Sequence, residues 1–295
     1  MKNSRTKGII LILFMALSFS ITGAFIKGVH GVPEQEEVFY RNLVIFATSI
    51  IMILKSKAPA FGNKGNRLAL IGRGAFGTLG AFASYYAITH MILPNAVIIS
   101  NLCPFFIIIF SAIFLKEKLK SVQVIAVLIA LSGMIFIVNP GGKLALIPAG
   151  VALLGAIFNG ISYVLVRHLG HKEKPETIIL VMAITSLFFT VPSMVAHYVP
   201  LSTKDLLLLL GAGVAYSVAE VLGVLAYKCA PAREISVFSY SDAIFSAGLS
   251  FLLFGQLPHH IQYIGYVLII IGAIILYGFN TKKQIPVEDN EVVIN

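Results

Sequence analysis

Apolar residues run through this chain in long unbroken stretches, each close to the 20 or so residues a helix needs to cross the hydrocarbon of a bilayer, and the polar residues fall in short gaps between them. Ten such stretches are legible: 8–27, 38–54, 68–89, 95–115, 122–138, 146–167, 177–197, 206–227, 235–254 and 261–279. The gaps carry Pro, Gly or clustered charge and leave almost no chain for a water-soluble domain. The pattern predicts spanning helices throughout, including the first stretch. Its basic lead-in of Lys2, Arg5 and Lys7 also suits a cleaved leader, but no small-x-small site follows Gly31.

Composition agrees with the pattern. Hydrophobic residues make up 58% of the 295 and charged residues only 12%, against the roughly 25% charge of an ordinary soluble domain. The net charge of +9 is a matter of topology. Most of the 22 basic residues collect in alternate connections: Lys2, Arg5 and Lys7; Lys55, Lys57, Lys64 and Arg67; Lys116, Lys118 and Lys120; Arg167, Lys172 and Lys174; Lys228 and Arg233; Lys282 and Lys283. By the positive-inside rule this predicts a multi-pass plasma-membrane protein with both termini in the cytoplasm. Basic residues scattered over many loops make no nucleic-acid-binding stripe, so nucleic acid is excluded as a partner.

The chain also repeats itself. Residues 99–138 align with 238–277 at an offset of about 139, laying Leu115 on Phe254, Glu117 on Gln256 and Gly133 on Gly272. Five spans per half is an odd number, so the halves insert in opposite senses. The expected fold is an all-α integral membrane protein of ten transmembrane helices in two inverted five-helix repeats, 1–142 and 143–281, followed by a disordered cytoplasmic tail, 282–295. Inverted repeats place a substrate site near the midplane, between the repeats.

The segment YYAITH at 85–90, the Asn- and Pro-bearing stretch after it, and FLKEKLKSVQVIAVLIALSGMIFIV at 114–138 resemble the EamA type of the drug/metabolite transporter superfamily; LAYKCAPAREISVFSYSDAIFSAG at 225–248 is similar to the same element in that family's second half. The resemblance covers about residues 8–280. It implies a ten-helix carrier for small metabolites, with a cavity lined chiefly by the first, third, fourth, sixth, eighth and ninth helices. Two departures stand out. Gln256 occupies a position where the second copy often has Glu, and Asp242 or Ala243 falls where Pro is usual.

An ionisable residue inside a bilayer is a functional candidate by default. Glu220 and Asp242 are such residues, candidates for binding a substrate cation or for proton coupling; the plainer reading is a carboxyl satisfied by neighbours such as Tyr216, Ser239 or Tyr240. Pro104 lacks the amide that would bond the Ser100 carbonyl, so a kink beside Asn101 is expected, as a binding element or as a packing device. Ser20 and Asn159 are repeat mates on helices that the resemblance makes cavity-lining, and Tyr86 and Tyr163, with Tyr85, are candidate aromatic walls. Arg73 lines the pathway or snorkels to the nearby surface, Arg41 snorkels outward or pairs with Glu34, Glu36 and Glu37, and Lys27 reads as an interface anchor. Gly74, Gly77, Gly80, Gly155 and Gly160 permit close helix approach.

No HExxH, GxSxG or P-loop pattern occurs, and Cys103 and Cys229 make neither a metal site nor a disulfide framework, so no enzyme, cofactor or metal is expected. The expected function is secondary transport of a small polar metabolite, an amino acid or relative, by alternating access and with proton coupling as an option. An organic-cation carrier and a lipid flippase or scramblase are the alternatives, and the protein is expected to work as a monomer or homodimer.

Overall fold

The computed structural model describes residues 2–114, 120–138, 143–169, 172–196, 198–229 and 236–282. These residues form helices joined by short connections: α1 (Lys2–Lys27), α2 (Glu34–Ser56), α3 (Arg67–His90), α4 (Leu93–Ser100), α5 (Cys103–Phe114), α6 (Ser121–Val138), α7 (Lys143–Leu169), α8 (Pro175–Ala196), α9 (Thr203–Cys229), α10 (Ser241–Phe254) and α11 (His260–Lys282). Lys116, Glu117, Lys118, His171, Arg233 and the tail from residue 283 lie outside the described residues.

Among the described residues seven helices are long and apolar enough to cross a membrane, the joined α4–α5 segment counting as one. Helix α3 has the length, at 24 residues, but Arg73, four glycines and two tyrosines lower its hydropathy. Helix α6 and the segment Phe238–Phe254 are apolar but shorter. All ten stretches legible in the sequence overlap one of these helices.

Local sequence sets several boundaries. Pro33 precedes α2, whose first turn carries Glu34, Glu36 and Glu37 at the end where the helix dipole favours negative charge. Gly255 closes α10 in the left-handed region at φ 64°, donating its N–H to Phe251 O (3.0 Å) while Gln256 N–H reaches Ser250 O (3.2 Å). Gly fits there because it carries no Cβ. The fourth apolar stretch is broken rather than bent: α4 ends at Ser100, Asn101 and Leu102 form a turn, and α5 begins with Pro104 in its first turn.

The helices pack in a set of matched pairs. Helix α1 lies along α9 and α3 along α7; α2 meets α8, and α6 meets α11. Helix α1 also touches α10, as α7 touches α4 and α5, and α3 meets α8 as α2 meets α9. The α6–α11 crossing is backbone-close: a Cβ on Gly133 would come within 2.7 Å of the Gly265 carbonyl oxygen, and one on Gly265 would strike the Gly133 carbonyl.

The outside is apolar and part of the inside is polar. Phe188 (74% exposed) and Leu252 (77%) point away from the bundle, whereas Asn42, Ser186, Ser246 and Thr190 are buried. Such an arrangement suits a lipid surround, where buried polar groups find partners within the protein. Asn42 Nδ2 donates to Ser186 Oγ at 2.8 Å between α2 and α8, and the Tyr266 hydroxyl donates to Asn95 Oδ1 at 2.7 Å between α11 and α4.

Candidate solute-binding site

Two buried arginines define the polar centre of the bundle. Arg41 stands two turns into α2 and is 7% exposed; Arg73 stands two turns into α3 and is 8% exposed. Both side chains are buried, so neither arginine takes the snorkelling option that the sequence left open to it. Each guanidinium is held by aromatic faces. The Arg41 guanidinium carbon lies 5.0 Å from the Tyr85 ring centroid and 4.8 Å from that of Tyr216, and Arg73 lies 5.3 Å from that of Tyr163. A cation over a desolvated ring gains about 2 kcal/mol, which offsets part of its burial.

Hydrogen bonding fixes Arg73 further. Its Nη1 donates to Ser162 Oγ at 2.8 Å, and the Ser162 hydroxyl donates back to the Arg73 carbonyl at 2.7 Å. Gly77, one turn on, makes room: a Cβ there would sit 2.5 Å from Arg73 Nη1. Nevertheless Nε of Arg41 and Nε of Arg73 are buried without a hydrogen-bond partner, and neither arginine forms an ion pair among the described residues.

Glu220 on α9 completes the cluster. It is half-buried, one turn along from Tyr216, and close enough to Tyr216 and Tyr163 to interact with both electrostatically. It makes no hydrogen bond among the described residues. Tyr216 is within electrostatic reach of Arg41, Arg73 and Glu220 alike. Tyr163 keeps 40% of its surface accessible beside Arg73. Four helices, α2, α3, α7 and α9, thus bring two cations, one carboxylate and three tyrosines together.

Asp242 occupies a different junction. Asn101 Nδ2, in the turn between α4 and α5, donates to Asp242 Oδ1 at 2.7 Å. The Tyr240 hydroxyl contacts the Asn101 carbonyl at 3.4 Å, and Ser20 Oγ donates to the Asp242 carbonyl at 2.9 Å. Pro104 follows in the first turn of α5. These residues join two helix interruptions, the α4–α5 turn and the 3-10 turn Ser236–Tyr240 that leads into α10. Asn159 packs against Gly80 at the α3–α7 contact. Tyr86 points elsewhere, stacked on His90 with ring centroids 4.0 Å apart.

At one end of the bundle a polar pocket of about 500 Å³ opens among Lys27, His30, Glu37, Thr89, His90 and Gln256. Lys27 is no simple interface anchor there: its Nζ donates to Thr89 O (3.2 Å) and Met91 O (2.7 Å), the free carbonyls at the end of α3. Glu37, 1% exposed and with Oε2 unpartnered, sits one turn from Arg41 and connects this pocket to the central cluster.

At the opposite end Glu173 ties two connections together. It accepts from Asn63 N–H (2.8 Å) and Asn66 Nδ2 (2.7 Å), while Thr177 Oγ1 donates to Pro59 O at 2.7 Å. Burial pushes the Glu173 carboxyl up, but the bonds from Asn66 and Asn63 outweigh it and hold the group below the usual carboxylate value. An apolar crevice of about 320 Å³ nearby, among Phe61, Arg67, Leu70, Ile71 and Val181, offers no chemistry.

Comparison with known proteins adds the family. The model of the EamA-like transporter family matches the chain twice, over residues 6–139 and again over 146–278. The chain belongs to the EamA-like transporter family. This EamA-like protein is 29% identical over 279 residues to the pseudopaline exporter CntI of Pseudomonas aeruginosa, covering 94% of this chain and 97% of the relative. It is 26% identical over 268 residues to an uncharacterized transporter of Helicobacter pylori, 86% of this chain and 87% of that one. It is also 36% identical over 133 residues to solute carrier family 35 member G1 of Mus musculus, 45% and 36% of the two chains. A protein of known crystal structure shares the fold at TM-score 0.62 and 17% identity, over 96% of this chain and 98% of its own.

The members of the cluster were legible in the sequence, but their grouping was not. Glu220, Arg73, Tyr163 and Tyr85 were candidates, Tyr216 was named only as a neighbour of Glu220, and Arg41 only as a cation that snorkels or pairs with nearby acids.

Proposed function

We propose that this membrane transporter is a secondary carrier that moves a small polar metabolite, an amino acid or a relative of one, across the plasma membrane by alternating access. The observation that carries the reading is a cluster of opposite charges, the buried Arg41 and Arg73 with the half-buried Glu220, inside a chain whose two halves each match the same transporter model. Buried charges without partners are costly, and a carrier holds them where a solute completes them.

Ten spans in two inverted five-helix repeats, residues 1–142 and 143–281, form the architecture in this reading. Support comes from the helix pairings: exchanging the halves turns α1 on α9 into α7 on α3, and α2 on α9 into α8 on α3. The contact between Asn101 and Tyr240, 139 residues apart, adds to it, since that separation equals the repeat offset. The Lys and Arg bias puts both termini and the Glu173 tie in the cytoplasm and the polar pocket at Lys27 and Glu37 outside. In this orientation Glu37, Arg41, Tyr216 and Glu220 trace a route from the outer pocket to the middle. Glu220 carries proton coupling in this reading, because Asp242 is already bonded to Asn101.

The test is solute-driven current and counterflow in proteoliposomes, screened across amino acids, purines and quaternary amines with and without a pH gradient. Counterflow of an amino-acid class, lost in Glu220→Gln, is expected. Quaternary amine transport would favour an organic-cation carrier, and lipid movement without any solute flux would overturn the metabolite reading.

A further inference from the structure

The carrier reading leaves the chemistry of the solute open, and the two arginines narrow it. They come from different helices, and different tyrosines brace them: Tyr85 and Tyr216 hold Arg41, Tyr163 holds Arg73. Each keeps a buried Nε–H without a partner, and neither has a carboxylate in ion-pair range among the described residues. A guanidinium is a planar fork matched to one carboxylate, bound through two parallel N–H···O bonds. One acid group satisfies one fork and leaves the Nε–H of the other buried and unpartnered. The large majority of buried side-chain polar atoms have a hydrogen-bond partner, so two unpartnered buried Nε–H groups call for an explanation.

We infer that Arg41 and Arg73 together recognise a solute bearing two separate acidic groups, one for each guanidinium, with Glu220 facing a cationic nitrogen of the same molecule. The inference rests on the carrier reading for its setting. Its substance is the pair of unpartnered guanidinium Nε–H groups: two buried cations call for two acid groups, and Glu220, within reach of Tyr216, offers a place for one positive group, while the buried Glu37 lies one turn from Arg41 on the side of the end pocket. The aromatic walls contribute by keeping the guanidiniums splayed. A cation stacked on a ring cannot swing freely toward its neighbour, so two acid groups are met at two fixed places. An organic cation without acid groups would leave both guanidinium Nε–H groups unanswered, and a neutral amino acid would leave one.

The experiment is calorimetric titration of the purified protein in nanodiscs with α-amino dicarboxylic acids of increasing chain length, from aspartate to α-aminopimelate, each compared with its ω-amide. One member of the series is expected to bind roughly tenfold or more tighter than its amide, the scale of leaving one buried charge unpaired. That preference is expected to fall to near unity in Arg41→Gln and in Arg73→Gln. Should either variant fail to fold, Arg41→Lys and Arg73→Lys keep the charge and lose the fork, and are expected to lose most of the preference. No acid preferred over its amide, or a preference that survives at both arginines, would overturn the inference. Counterflow separates it from the carrier reading. Neutral amino acids exchanged equally by the wild type and both arginine variants would sink the two-acid solute and leave the carrier. Acid-selective binding with no counterflow of any solute would do the reverse.

Discussion

Asn101 donates a 2.7 Å hydrogen bond to Asp242 across the junction of two interrupted helices, so the intramembrane acid most conspicuous in the sequence is spoken for by a side-chain amide 141 residues away. Replacement by Ala orphans the Asn101 amide in a partly buried site, at a cost of about 1–3 kcal/mol. Replacement by Asn keeps an acceptor oxygen at the same place. In thermal unfolding, Asp242→Ala is expected to melt clearly lower and Asp242→Asn close to the wild type. Transport by Asp242→Asn is expected to keep its pH profile, and a lost profile would return Asp242 to the coupling role.

Glu220 is expected to behave the other way. Its carboxylate stabilises nothing by hydrogen bonding, so Glu220→Gln should leave the melting temperature within about a degree or two, a ΔΔG below about 0.5 kcal/mol. Solute counterflow is expected to drop by an order of magnitude or more, as for loss of one member of a buried charge pair. Parallel measurement of melting and flux decides it; equal losses in both would make Glu220 a structural residue.

Gly74 and Gly77 lie one turn apart on α3 and give a paired prediction. An alanine methyl at Gly74 would meet Thr185 Cβ at 2.5 Å, a stiff side chain on the facing helix, while one at Gly77 would meet chiefly the mobile end of Arg73. Overpacking costs about 1–3 kcal/mol where nothing can yield. Gly74→Ala is therefore expected to lower the melting temperature. Gly77→Ala is expected to fold normally, with Ala favoured over Gly in the helix by about 1 kcal/mol, yet to shift Arg73 and weaken solute affinity. Titration of the well-folded Gly77→Ala protein is the check.

The Glu173 tie predicts an acid transition. Its folded-state carboxyl lies below its unfolded value of about 4.3, so its contribution is complete above that value and is lost as pH falls through the lower folded one. Melting temperatures measured from pH 6 down to about 3 are expected to fall more steeply for the wild type than for Glu173→Gln, which lacks the titrating group. Parallel curves would show that the tie adds no stability.

The sequence revealed depth and hid direction. Hydropathy located each helix because apolar content over 20 residues is a sum, insensitive to which way any one side chain points. Arg41 was legible as a cation about one turn into the second helix, but its choice between the surface and the bundle depends on which face α2 gives to Tyr85 and Tyr216, residues 44 and 175 positions away. The break at Asn101 had a local cause in Pro104. That Asp242 would meet it there depended on packing between α4 and α10, which no local pattern records. Repeat arithmetic came nearest, since an offset of 139 pairs Asn101 with Tyr240, two residues from the partner it binds.

The glycine-to-backbone contact of α6 with α11 stands apart from the arginine cluster, since these two helices lie chiefly against each other. Genetic damage in this protein should therefore sort by geography. Lesions at Gly133 or Gly265 would thin the amount of transporter in the membrane and leave each surviving molecule with unaltered taste. Lesions around Arg41 and Arg73 would leave the amount intact and alter what the molecule accepts.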